Sequence, residues 1–286
     1  MLQDVSTNRA ACDGAASSSD VSGNGASGNG APGDVAPGNV VVPRDAATVM
    51  LVRDTPDGVE VFLQRRVAAM KFAAGMTVFP GGGVDERDAD ASLSWAGPPP
   101  ARWADWFGCD EAMARALVCA AVRETFEEVG VLLAGPGPDG IVADTSGYAD
   151  ARAALVAGEL SLAAFLADAG LTVRADLLRP WANWVTPEQE RRRYDTRFFV
   201  AALPDGQVAD GATSEASESG WRTPEGAMAD GRAGRSMLMA PTWAMLEDLA
   251  RCATVADALA VDRTPVPKLM PTPVEGSGGG MVLVEL

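Results

Sequence analysis

The chain has 286 residues, a formal net charge of −16 and no histidine. Without histidine, Ser-His-Asp and Cys-His catalysis and His-ligated zinc are all excluded, so acid–base work falls to carboxylates, Lys, Tyr, Cys or metal-bound water. The acidic balance argues against a nucleic-acid partner, which calls for a basic face, but not against a small anionic substrate, because a metal ion reverses the local field.

Residues 1–40 have no aromatic residue and one Leu among many Ala, Gly, Ser, Asn and Asp. Such a segment buries too little apolar surface to offset its ordering entropy and reads as a disordered arm. It lacks the basic start and apolar core of a signal peptide. No later run is long and apolar enough to span a bilayer, so no membrane partner is expected. The four cysteines (Cys12, Cys109, Cys119, Cys252) form no CxxC pair, which counts against a zinc ribbon and favours reduced thiols in a cytoplasmic chain.

"AATVMLVRD" (46–54) and "GVEVFLQRR" (58–66) are β-rich and joined by the turn signal "TPDG", which predicts a hairpin. "MTVFPGGGVDERD" (76–88) starts as a strand and breaks into a proline–triple-glycine loop. Residues 89–108 carry Trp95, Trp103, Trp106 and Phe107 and look like an insertion, whose first role is to pack onto the domain. Residues 110–129 predict a helix with Asp110 as N-cap and Gly130 after its end. A short strand and loop follow in "VLLAGPGPDG", then two helices over 148–169 broken near Gly158. "WANWVTP" (181–187) and "YDTRFFVAALP" (194–204) predict strands, "ESGWRTPEGAM" a strand end running into a helix at Pro224, and 240–260 one last helix. The Pro-rich stretch 263–275 and "GSGGGMVLVEL" can close as a β ribbon. Strands and helices without a βαβ rhythm predict an α/β chain with a mixed sheet and flanking helices.

The informative stretch is "AAVRETFEEVGVLL" (120–133). On a helix, Glu124, Glu127 and Glu128 fall within an arc of about 100°. Three like charges on one face repel, and they sit near a helix C-terminus, where the macrodipole disfavours anions. Arg123, four residues before Glu127, offsets part of this. A divalent cation with oxygen ligands removes the conflict. A solvated acidic face is the plain alternative, but it leaves the upstream "FPGGG", with its freedom for close backbone approach, unexplained.

These residues resemble a known family. "RETFEEVG" followed by Val131 matches the second half of the Nudix box, with Thr125 at a position that is usually apolar. "GGGVDERD" resembles the first half, with Asp88 where the family has Glu. Thirty-four residues separate Asp88 from Arg123 where the box has seven, an insertion of twenty-seven. The acyl-coenzyme A diphosphatase branch also carries an insertion there, and "FLQRR", "MTVFPGGGVD", "NWVTP", "RRYDTRFF" and "APT" are further similarities to it.

The resemblance implies a Nudix fold, an α/β/α sandwich with a mixed β-sheet. It would comprise residues 41–262 with the insertion at about 89–109, between the arm and a Pro/Gly-rich tail at 263–286. It implies hydrolysis of a nucleoside diphosphate derivative with Mg²⁺ or Mn²⁺. Glu124 and Glu128 would be the main metal ligands, Glu127 a third ligand or the base, and Arg123 the residue orienting Glu127. The Gly82 carbonyl would complete the metal shell, and Asp88 is given no catalytic role. The branch points to coenzyme A or acyl-CoA, giving 3′,5′-ADP and (acyl-)4′-phosphopantetheine. Two other readings stay open: a pyrophosphatase for ADP-ribose, NADH or a dinucleoside polyphosphate, and a catalytically silent nucleotide sensor, against which the intact Arg123/Glu124/Glu127/Glu128 set counts.

For substrate phosphates the candidate cations are Arg65 and Arg66, one on each side of its strand, Lys71, and the cluster Arg191, Arg192, Arg193 and Arg197, each with a surface ion pair as the plain alternative. Glu215 and Glu218 read as a solvated loop, and Pro241-Thr242 as a helix start.

Overall fold

The computed structural model describes residues 40–68, 73–273 and 281–286. The expected arm and Lys71 lie outside the described residues. β1 (Arg44–Thr55) and β2 (Gly58–Arg66) form the expected antiparallel hairpin, paired down to Thr55 and Gly58. After β3 (Met76–Val78), the glycines form a strand, β4 (Gly81–Gly83), where a loop was expected. It runs antiparallel to Ala46–Thr48 of β1.

The insertion contributes β5 (Trp95–Ala96) and the helix α1 (Pro100–Phe107). Trp103 is fully buried, with ring centroids 4.9, 5.9 and 5.7 Å from Trp106, Phe107 and Phe199. The aromatic residues therefore pack the insertion onto the domain. α2 (Glu111–Val129) follows: the Asp110 carboxylate accepts from Met113 N–H at 2.8 Å, and Gly130 ends the helix with φ 73°.

Residues 131–133 do not extend as a strand, because the buried Gln207 side chain occupies both the N–H and the C=O of Leu132, at 2.9 and 3.0 Å. The strand there is the two-residue β6 (Ala134–Gly135). α3 (Ala149–Val156) and α4 (Leu162–Asp168) are the two expected helices, and β7 (Thr172–Arg174) joins β5 and β6 in a small sheet.

β8 (Arg179–Val185), β9 (Tyr194–Ala202), β10 (Ala216–Arg222) and α5 (Pro224–Arg232) come next. Beyond β11 (Met237–Leu238), the expected single helix is two, α6 (Ala240–Leu249) and α7 (Val255–Ala260). The break follows from a capping box in which Thr254 and Asp257 serve each other's backbone N–H and start a new helix. β12 (Lys268–Pro273) and β13 (Met281–Glu285) form the expected ribbon. β12 also runs parallel to β8, and Val266 lies in the core, so the tail belongs to the main sheet rather than following the domain at 262.

The main sheet has the order β11-β3-β2-β1-β9-β8-β12-β13, with β10 on β2 and β4 on β1. It is mixed: β1 pairs parallel with β9 and antiparallel with β2. Successive side chains of a strand face opposite sides. Val49 and Leu51 of β1 enter the core shared with α1 and α2, whereas Met50 and Val52 enter the core shared with α5, α6 and α7. The result is the expected α/β/α sandwich. Among the described residues no helix is long and apolar enough to cross a membrane.

Candidate active site

The end of α2 and the β4 glycines meet at one place. The Gly81 N–H donates to Glu128 Oε2 at 2.9 Å. A β-carbon built on Gly82 would lie within 2.7 Å of Glu124's carboxylate atoms, so this contact requires glycine. Arg123 binds four partners. It donates through Nε and Nη2 to both oxygens of Asp88, each at 3.0 Å. It reaches Glu124 at 2.8 Å, Glu127 at 3.3 Å and the Gly83 carbonyl at 2.9 Å. The expected Arg123–Glu127 pair is thus the longest of the set, and Glu124 is held more closely.

Asp88, given no catalytic role from the sequence, lies at this site against Arg123. It is 2% exposed and also accepts from the Asp85 N–H at 2.9 Å, within a capping box. The inserted residues fold back through β5 and α1, so the long separation in sequence does not separate Asp88 from Arg123. Asp88→Asn should lower stability by about 1–3 kcal/mol, since Arg123 would lose a charged partner inside the protein. Thermal melts check this, and an unchanged melting temperature would return Asp88 to a passive role.

Burial dominates the electrostatics. It pushes the Glu124 carboxyl up to about 7 against the pull of Arg123. Burial, and then the Glu124 charge, push Glu128 up to about 8, while the Gly81 N–H works the other way. Glu127 is raised too, by burial against the pull of Arg123. Burial works against the Arg123 guanidinium, but the Asp88 hydrogen bond and the Glu124 charge more than offset it and hold its pKa above the ordinary value.

Glu124 and Glu128 open onto a cleft of about 670 Å³, within the usual range for ligand sites. Gly81, Gly82 and Gly83 line it at the carboxylate end, and Phe79, Trp184 and Phe198 give it an apolar wall. Arg66 lines the cleft and pairs with Glu215, also in the lining, at 3.4 Å. Arg65 points to the other side of its strand, as expected, where it donates to the Arg235 carbonyl and lies 3.8 Å from Glu218. The two acids read as one solvated loop therefore separate, Glu215 into the cleft and Glu218 away from it.

The 191–197 cluster also divides. Arg193 is buried and donates to the carbonyls of Thr186 and Val41. Arg197 is buried between Asp45 and Asp195. Arg191 and Arg192 are exposed. Trp95, Trp103 and Trp106 do not line the cleft.

Among the described residues no three Asp, Glu or Cys side chains converge closely enough to hold a metal ion by themselves. Glu127 lies on Arg123 and is not part of the cleft lining. What faces the cleft is a pair, Glu124 and Glu128, beside glycine backbone. This donor set fits a hard cation: Mg²⁺ is commonly held by one or two carboxylates, with substrate phosphates and water filling its octahedron.

A family model described as the NUDT19 Nudix domain matches residues 109–251. The chain belongs to the Nudix hydrolase family. It is 30% identical over 214 residues to a Caenorhabditis elegans protein described as "Putative nudix hydrolase 7", covering 75% of this chain and 62% of that protein. It is 30% identical over 214 residues to the acyl-coenzyme A diphosphatase NUDT19 of Gallus gallus, covering 56% of this chain and 55% of that one. The chain thus spans less than two thirds of either curated relative. The crystal structure of a NUDIX hydrolase from Alicyclobacillus acidocaldarius superposes with a TM-score of 0.64 at 27% identity, covering 78% of this chain and 98% of that one. Nudix hydrolases generally use divalent metal ions, in keeping with the paired carboxylates of this Nudix chain.

Proposed function

We propose that this Nudix chain hydrolyses the diphosphate linkage of coenzyme A or an acyl-CoA, giving 3′,5′-ADP and (acyl-)4′-phosphopantetheine. The observation that carries the hydrolase reading is the Glu124/Glu128 pair, Glu128 buried and Glu124 partly so, set against a glycine strand at the end of a cleft large enough for a nucleotide. The similarity to an acyl-coenzyme A diphosphatase supports the substrate.

Glu124 and Glu128 would hold Mg²⁺ or Mn²⁺, with the Gly82 carbonyl as a further oxygen donor. When bound, such an ion neutralises charge on the diphosphate and activates water for attack. The protein supplies placement. Arg123 fixes the Glu124 carboxylate, and the Gly81 N–H fixes that of Glu128. Asp88 holds Arg123 from behind with both oxygens. Arg66, tethered at 3.4 Å to Glu215, can turn to a substrate phosphate without leaving the cleft. Glu127 lies against Arg123 at 3.3 Å.

A substrate panel with Mg²⁺ or Mn²⁺, with products identified by mass, tests the reading. Coenzyme A should be cleaved to 3′,5′-ADP, and 3′-dephospho-coenzyme A about ten- to a hundred-fold less efficiently, the cost of one lost charged hydrogen bond. Equal rates on the two would overturn the coenzyme A assignment, and a clear preference for ADP-ribose would move the substrate while leaving the metal chemistry in place.

A further inference from the structure

The cleft is short of positive charge. Glu124, Glu128, Glu190 and Glu215 line it, and Arg66 is the one cationic side chain among its described lining residues. A metal ion at Glu124 and Glu128 answers the diphosphate. It does not answer a second phosphate elsewhere on the substrate. Arg193 and Arg197, two of the candidate cations of the 191–197 cluster, are buried and bound to other partners.

The α6 N-terminus supplies what is missing. Met239, Ala240, Pro241 and Thr242, the residues that open this helix, all line the cleft. No side chain caps that end. The first-turn N–H groups of a helix have no intrahelical acceptor and carry its positive dipole end, a standard setting for phosphate. Thr242 is an independent second observation. It is 4% exposed and lines the cleft, yet its hydroxyl has no hydrogen-bond partner among the described residues. That hydroxyl is not among the fully enclosed unpartnered atoms, so it is open to the cleft, where a ligand can complete it.

We propose that the first turn of α6, with the Thr242 hydroxyl, is the subsite for a phosphate monoester of the substrate, distinct from the diphosphate that is cleaved. On the coenzyme A reading above, that group is the 3′-phosphate of the adenosine. The Thr242 hydroxyl and the N–H groups of Ala240 and Thr242 donate to its oxygens, Pro241 having no N–H, and the helix dipole offsets its charge.

The experiment is binding, not turnover, so it reads separately from whether coenzyme A is a substrate. Calorimetry on the full chain compares 3′,5′-ADP with 5′-AMP at fixed ionic strength. The unmutated protein should bind 3′,5′-ADP roughly tenfold more tightly. Thr242→Val, which keeps the shape and removes the hydroxyl, should erase most of that preference and leave 5′-AMP unchanged, and Thr242→Ser should restore it. Ala240→Asp gives a second reading that does not depend on the tolerance of a buried site. An acid in the first turn stabilises a helix, so the melting temperature should hold or rise while 3′,5′-ADP binding falls at least tenfold and 5′-AMP binding changes much less. Equal affinity of the unmutated protein for the two nucleotides, or equal weakening of both by Thr242→Val and by Ala240→Asp, would overturn the subsite.

Discussion

Replacing Glu128 by Gln should lower kcat/KM on the order of a hundred-fold or more, about 2.7 kcal/mol of transition-state stabilisation, and leave the protein folded. Glutamine keeps an oxygen for the Gly81 N–H but loses the charge that would hold a divalent ion. Stability separates this from a packing defect. Glu128 titrates at about 8 in the folded chain because burial and Glu124 oppose its charge, whereas an unfolded Glu titrates near 4.3. Below about pH 4.3 both states are protonated, and the group costs nothing. Between there and about 8 the unfolded chain releases a proton that the folded chain keeps, so stability falls with rising pH. Glu124, raised to about 7, adds to the same trend over a narrower window. Glu128→Gln should therefore flatten the decline of melting temperature between pH 5 and 8 and melt no lower than the unmutated protein at pH 8. Mg²⁺ or Mn²⁺ should raise the melting temperature of the unmutated chain at pH 8 and do so far less in the variant. A variant with near-normal turnover would make the carboxylates an ordinary acidic face.

Much of this site was legible because its strongest signals are local. Asp110 and Gly130 bracket α2, and helical arithmetic puts Glu124, Glu127 and Glu128 on one side. Arithmetic alone does not say that Arg123 draws Glu127 away from the cleft and leaves a pair facing it. Asp88 was discounted because a short side chain before a long insertion looks disconnected. Its position depends on the capping box with Asp85 and on the return of the chain through α1, neither of which follows from spacing. The Arg191–Arg197 cluster stays open between ion pairing and phosphate binding in the sequence, because density does not tell a buried ion pair from a free cation, and only the fold places Arg197 between Asp45 and Asp195 in the largely buried β9. The wall formed by β8, β9 and the start of α6 joins segments well separated along the chain, so no single motif announces it. The split of 240–260 was present in the sequence as Thr254 and Asp257, a capping pair hidden inside an otherwise helical run.

The three glycines of β4 should respond to alanine in three different ways, although they are neighbours in one short strand. Gly81 has φ 155°, and a β-carbon there would lie 2.7 Å from the Thr48 α-carbon and 2.8 Å from its hydroxyl. The obstacle includes the backbone of β1, a central strand that cannot yield without disturbing its pairing with β9. Strain and overpacking together should cost about 3–5 kcal/mol, and roughly 10 °C in melting temperature for a domain of this size. At Gly82 the obstacle is the carboxylate end of Glu124, a side chain that can swing aside. Gly82→Ala should therefore melt within a few degrees of the unmutated chain but lose turnover roughly as Glu124→Gln does, because Glu124 leaves both Arg123 and the cleft. A β-carbon on Gly83 meets nothing within 4 Å, and Gly83→Ala should stay within about 0.5 kcal/mol in stability, with activity retained. Thermal melts and kcat/KM on the three purified variants decide the matter. If Gly83→Ala loses as much activity as Gly82→Ala, the loss comes from stiffening β4 rather than from displacing Glu124. If Gly81→Ala melts with the unmutated protein, the close approach of β4 to β1 is not what holds the glycine strand beneath Glu128.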